Sequence, residues 1–102
     1  MKDNTRSHSM THYAFGKYYE LTLHKTTYKN GGTALQLMDA EDGFPYAMAT
    51  VWVEGLAENE VAVKNYSENE GILETLIENG IVEKPHRTVS SGFVNIPICK
   101  LK

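Results

Sequence analysis

Three glutamates, Glu70, Glu74 and Glu78, stand four residues apart with no lysine or arginine among them. On a helix this spacing lines one face with like charge, at a cost of about 0.2–0.5 kcal/mol per adjacent pair. Glu78 also falls near the negative end of the helix dipole, where a cation is preferred. Such a face is either a solvated, solubilising surface or one that meets a basic groove on a partner. Asp39, Glu41, Asp42, Glu58 and Glu60 supply further carboxylates from turns and loops earlier in the chain. All eight lie within residues 39–83, which hold eleven acids and one base, a net charge of −10. The flanking segments, 1–38 and 84–102, carry +3 and +4. This distribution favours docking onto a basic surface and speaks against a general nucleic-acid binder.

Other chemistry has less to stand on. The chain contains no glycine-rich phosphate loop, no GxSxG elbow and no HExxH or CxxC motif. His24 alternates onto the polar side of a strand, and His86 follows Pro85 in a loop; both are expected to be solvated. Cys99 has one basic neighbour, Lys100, which a strand would turn to the opposite face. No nucleophile, base and orienting group can be assembled, so no catalytic residue and no cofactor is expected. The acids of Asp39 to Gly43 lack the 1-3-5 oxygen spacing of a calcium loop, and Thr50 stands where its bidentate glutamate would be. His8 and His12 have metal-pair spacing, but nothing around them predicts a helix.

The elements that must position the acids are read from period and punctuation. Residues 1–12 are polar and aperiodic, and are expected to form a flexible tail ahead of a single domain, 13–102. Tyr19, Leu21 and Leu23 alternate with polar residues as in a half-buried strand. Asn30, Gly31 and Gly32 supply a turn, and Thr33 to Met38 the second strand of a hairpin. Asp42-Gly43 reverses the chain again before Tyr46 to Val53, expected to be one continuous strand; Glu60 to Lys64 is a short fourth. Ser67 and Glu70 have the spacing of a capping box, which predicts a helix from about Glu68 to Asn79. Ile72, Leu73, Leu76 and Ile77 form its buried stripe, and Gly80 its left-handed end. Phe93 to Leu101 is a last strand, and Pro97, which cannot donate to a ladder, places it at an edge or at a bulge. The expected fold is α+β: an antiparallel sheet of about five strands in the order β-β-β-β-α-β, with one helix on one face.

The 102 residues suit one domain with one modest core. No apolar run is long enough to span a membrane. The N-terminal residues show no apolar signal segment, and the single cysteine excludes an intrachain disulfide, so a cytoplasmic location is expected.

Three stretches carry a resemblance: Asp39 to Val51 (DAEDGFPYAMATV), Tyr66 to Gly71 (YSENEG) and Ser91 to Val94 (SGFV). Across most of residues 17–102 the chain resembles a family of short proteins carried by phages, prophages and conjugative elements of Gram-positive bacteria. Some proteins of this type are anti-CRISPR proteins, often directed against Cas9. The resemblance implies a non-catalytic inhibitor that binds a CRISPR effector nuclease or its guide complex inside the bacterial host. Asp39, Glu41, Asp42, Glu58, Glu60, Glu70, Glu74 and Glu78 are the residues expected to meet the partner. Two other readings stay open. One is a structural or accessory protein of a mobile element, a homodimer through the Trp52 face or the last edge strand. The other is direct nucleic-acid binding, which would need Lys17, Lys25, Lys29, Arg87 and Lys100 on one face.

Overall fold

The computed structural model describes residues 8–29 and 31–102; Asn30 and most of the expected tail, residues 1–7, lie outside the described residues. The fold class is α+β, but the single sheet of five strands is replaced by two antiparallel sheets of four strands each and one short helix. The first sheet is a meander of β1 (His8–Ala14), β2 (Lys17–Thr27), β3 (Thr33–Asp39) and β4 (Pro45–Met48). The second contains β5 (Thr50–Val51), β6 (Glu60–Val63), β7 (Arg87–Ser91) and β8 (Val94–Lys100) in the spatial order β5-β6-β8-β7. A helix, α1 (Ile72–Glu78), lies between β6 and β7 in the chain.

Strand β1 takes in residues 8–12, where the polar sequence predicts a tail. It pairs with β2 through Met10↔Leu21 and His12↔Tyr19, so Met10, His12 and Ala14 share the inner face with Tyr19, Leu21 and Leu23. Met10, His12 and Ala14 are buried. The alternation of β2 and β3 is as the sequence predicts, with Leu21, Leu35 and Leu37 fully buried.

The expected strand from Tyr46 to Val53 is broken in two at Ala49. The Ala49 amide donates to the Leu35 carbonyl of the first sheet, and its carbonyl accepts from the Lys64 amide beside the second, both at 2.8 Å. Thr50 holds the corner, its hydroxyl accepting from the Leu35 amide at 3.2 Å and bonding the Tyr28 hydroxyl at 2.8 Å. Ala49 and Thr50 are both buried, which breaks the period of two. A strand that leaves one sheet for another bends where its partners change, and this bend lets both sheets enclose one core. That core joins Leu21, Leu35 and Leu37 to Val61, Val63 and Cys99, with Ile72 and Leu76 of α1 packed into it.

The last strand is not at an edge. β8 lies between β6 and β7, but its ladder with β6 ends at Ala62↔Ile98, and Pro97 pairs only with Thr88 of β7. The missing amide of Pro97 is therefore tolerated one residue past the end of the β6 ladder. β7 itself, Arg-Thr-Val-Ser-Ser, lies where the sequence predicts no strand; its alternation holds one apolar residue, Val89.

α1 starts later than the capping box requires. Ser67–Asn69 is a separate turn of 3₁₀ helix without a side-chain cap, and Glu70 is extended. Gly71, at φ 92°, breaks the path before α1 begins. The cap comes from Asn65 instead, whose side-chain oxygen accepts from the Leu73 amide at 2.9 Å. The C-terminal end is as expected. Gly80 adopts φ 72°, its amide donates to Ile77, and the Ile81 amide donates to Leu76 at 2.9 Å. Those two bonds are a Schellman closure, and they satisfy carbonyls the last turn would otherwise leave open.

Candidate interaction surface

The structure distributes the eight carboxylates over three places. On α1, Glu74 and Glu78 are exposed, opposite the buried Ile72, Thr75 and Leu76. Glu70 is exposed but precedes the helix, so the stripe of three glutamates is reduced to two on α1 itself. Among the described residues no basic side chain pairs with Glu74 or Glu78, and none lies in the last turn.

Asp39, Glu41 and Asp42 form the β3–β4 turn, and two of them build it. The Asp39 carboxylate accepts from the Glu41 amide at 2.8 Å, and that of Asp42 from the Phe44 amide at 2.9 Å. The Asp39 carbonyl accepts from the Gly43 amide, with Gly43 at φ 77°. Local side-chain bonds of this kind explain the acids without a metal, although Glu41 and Asp42 remain exposed.

Glu58, in the β5–β6 loop, and Glu60, at the start of β6, differ sharply. Glu58 is exposed, whereas Glu60 is buried on the first residue of β6. One Glu60 oxygen accepts from Arg87 at 2.8 Å and from the Ala57 amide at 2.9 Å; the other lies 2.5 Å from His86 Nε2. The bond from Arg87 first, then those from Ala57 and His86, hold the Glu60 carboxyl down at about 2. Glu60 is therefore not part of an open acidic surface, since its charge is neutralised inside the protein. His86, expected to be solvated, is one of its partners. This cluster was invisible in the chain, because Glu60 and Arg87 are separated by 27 positions.

Beside the cluster lies a groove of about 380 Å³ lined by Gly32, Trp52, Val53, Leu56, Glu58 and Glu60, among others. Trp52 is 48% exposed and stands against the β2–β3 connection, where a Cβ on Gly32 would lie 3.7 Å from the indole. The loop opposite the indole is pinned from two sides. The Glu60 amide and carboxylate both bond Ala57, and Arg87 reaches the Gly55 carbonyl at 3.5 Å. In the groove two of the expected acids, Glu58 and Glu60, line the same surface as the half-exposed Trp52.

Two further groups could have been reactive. Cys99 is fully buried, and burial pushes its thiol up to about 11, so it stays protonated. His12 is buried with Nδ1 2.7 Å from the Thr75 hydroxyl, while Nε2 has no partner, and desolvation lowers its pKa below the ordinary 6.5. Among the described residues no group of three His, Cys, Asp or Glu is arranged to hold a metal ion. No helix there is long and apolar enough to cross a membrane.

These groups make the fold acid-sensitive. His12 binds a proton more weakly folded than unfolded, so stability falls as pH drops below the unfolded value near 6.5. Glu60 is the opposite ionic type with the same outcome: its contribution is complete above about 4.5 and is lost as pH falls toward about 2. Thermal melts across pH 7 to 2.5 are expected to fall in two stages. His12→Leu removes the upper stage and Glu60→Gln the lower; a flat profile between pH 7 and 5 would contradict the buried neutral imidazole. Comparison of the chain with protein-family models, with curated proteins and with solved structures gives no match.

Proposed function

We propose that this protein is a non-catalytic inhibitor from a mobile genetic element that binds a CRISPR effector of the Cas9 type in the host cytoplasm. Its acidic surface enters a basic channel of the effector and blocks nucleic-acid loading or cleavage. The observation that carries the reading is the pair Glu74 and Glu78: two exposed like charges one helical turn apart, uncompensated among the described residues. Local stability would be served better by lysine in place of Glu78, and a basic partner offsets the difference. The resemblance to short phage and conjugative-element proteins supplies the class of partner. An effector channel built to hold a guide–target duplex by its backbone is lined with positive charge, which suits a carboxylate-bearing competitor.

The test is a DNA-cleavage assay with Cas9, adding the protein before or after guide RNA. Inhibition only when the protein is added first places the block at loading, and inhibition in both orders places it at target binding or cleavage. Full cleavage in both orders, with protein shown to be folded, sinks the proposal.

A further inference from the structure

We infer that the groove beside Trp52 is a docking slot for a cationic side chain, an arginine in preference to a lysine, presented by a protein partner. This rests on the protein-binding reading and names the chemistry one part of the surface recognises. The slot has the two components such a side chain needs. Trp52 offers half-exposed indole, whose negative π-face attracts a cation. Glu58, exposed on the facing loop, offers a carboxylate that no basic residue occupies among the described ones. Val53 and Leu56 give the remaining wall an apolar character that suits the methylene stem of a long side chain. The volume, about 380 Å³, is within the range of clefts that enclose small ligands. A guanidinium is planar and weakly hydrated, so it stacks on an indole and leaves water more readily than an ammonium does.

The surrounding contacts make the slot preorganised. Glu60 is not the receiving carboxylate, because its oxygens are already held by Arg87, His86 and the Ala57 amide. Its role is to position the loop: it ties Ala57, and Arg87 ties Gly55, so the backbone leading into Glu58 is held at two points. Arg87 sits on Glu60, and its charge is neutralised there instead of repelling an incoming cation. The β2–β3 connection passes the indole edge at Gly32, where a Cβ would be in van der Waals contact with the ring at 3.7 Å.

Trp52 is the only tryptophan in the chain, so its emission reports on this groove alone. The probe is an acetylated, amidated tri-arginine peptide, with the tri-citrulline peptide as a neutral isostere. A saturable change in Trp52 emission with tri-arginine and none with tri-citrulline is expected. Tri-lysine should bind more weakly than tri-arginine. Glu58→Gln, at an exposed loop position, keeps the reporter and should weaken tri-arginine binding by about tenfold. No saturable change, an equal response to citrulline, or unaltered binding by folded Glu58→Gln overturns the slot. Cleavage assays separate this from the wider reading. Arginine binding by a protein that leaves Cas9 fully active supports the slot and removes the inhibitor proposal. Inhibition that survives in Glu58→Gln, with no arginine response in the wild type, removes the slot alone.

Discussion

Glu78→Lys is expected to make the protein more stable and a weaker inhibitor. In the native helix Glu78 opposes the dipole at the last residue of α1 and repels Glu74 one turn before it. Lysine there reverses both terms, since a glutamate followed by a lysine four positions later is the favourable order for a helical pair. The gain is roughly 0.5–1 kcal/mol, measured as a higher urea midpoint with an unchanged slope. Inhibition should move the other way, by roughly tenfold, because a like charge then faces the partner's basic surface. The double variant Glu74→Lys/Glu78→Lys keeps a like-charged pair and places lysine in the first turn, so its stability stays near that of the wild type. Its inhibition should fall further still. Raising the salt concentration should weaken the wild type more than the double variant, which has no attraction left at these two positions. A Glu78→Lys protein that is stabilised and inhibits as well as the wild type would remove α1 from the interface.

Much of this architecture was legible in the chain because it depends on local rules. The alternation of Tyr19, Leu21 and Leu23 marks β2, Asp42-Gly43 marks a reversal, and Gly80 marks the end of the helix. Each is decided within a few residues. What was not legible depends on partners far along the chain. His12 looks like part of a polar tail until Thr75, 63 positions later, supplies its hydrogen bond. Tyr46 to Val53 has the period of one strand, and only the competing claims of Leu35 and Lys64 on Ala49 show why it bends. The capping box failed for a different reason. Ser67 and Glu70 have the right identities and spacing, but Gly71 turns the backbone into the left-handed region before the helix can start. Among the expected site residues, Glu74, Glu78 and Glu58 stand exposed as their loop and helix positions suggested. Glu60 does not, because nothing local to it signals that Arg87 folds back across it.

The same dependence on distant partners makes Leu76→Ala a strongly damaging change, to stability and to binding together. α1 has seven residues, far below the length at which a helix holds itself together in water. Its residues stay helical because Ile72 and Leu76 are inserted in the core shared by both sheets, with Asn65 at one end and the Schellman bonds at the other. Leu76 is fully buried, and its own carbonyl closes the helix by accepting from Ile81. Truncation to alanine removes about 2–5 kcal/mol through lost transfer energy and the cavity left behind. A domain of this size has about 5–15 kcal/mol in total, so at mid-range the urea midpoint should fall by roughly a third. The expected consequence for binding is larger than for global folding. Fraying α1 releases Glu74 and Glu78 from a fixed spacing, and the partner must then order the segment before it can use them. Leu76→Ala should therefore lose inhibition under conditions where circular dichroism still shows folded sheets. Leu37→Ala, equally buried but on β3 of the first sheet and outside both α1 and the Trp52 groove, is the control. It should cost comparable stability and leave inhibition intact wherever the protein is folded. Equal loss of inhibition in the two variants at matched stability would show that α1 has no special part in binding.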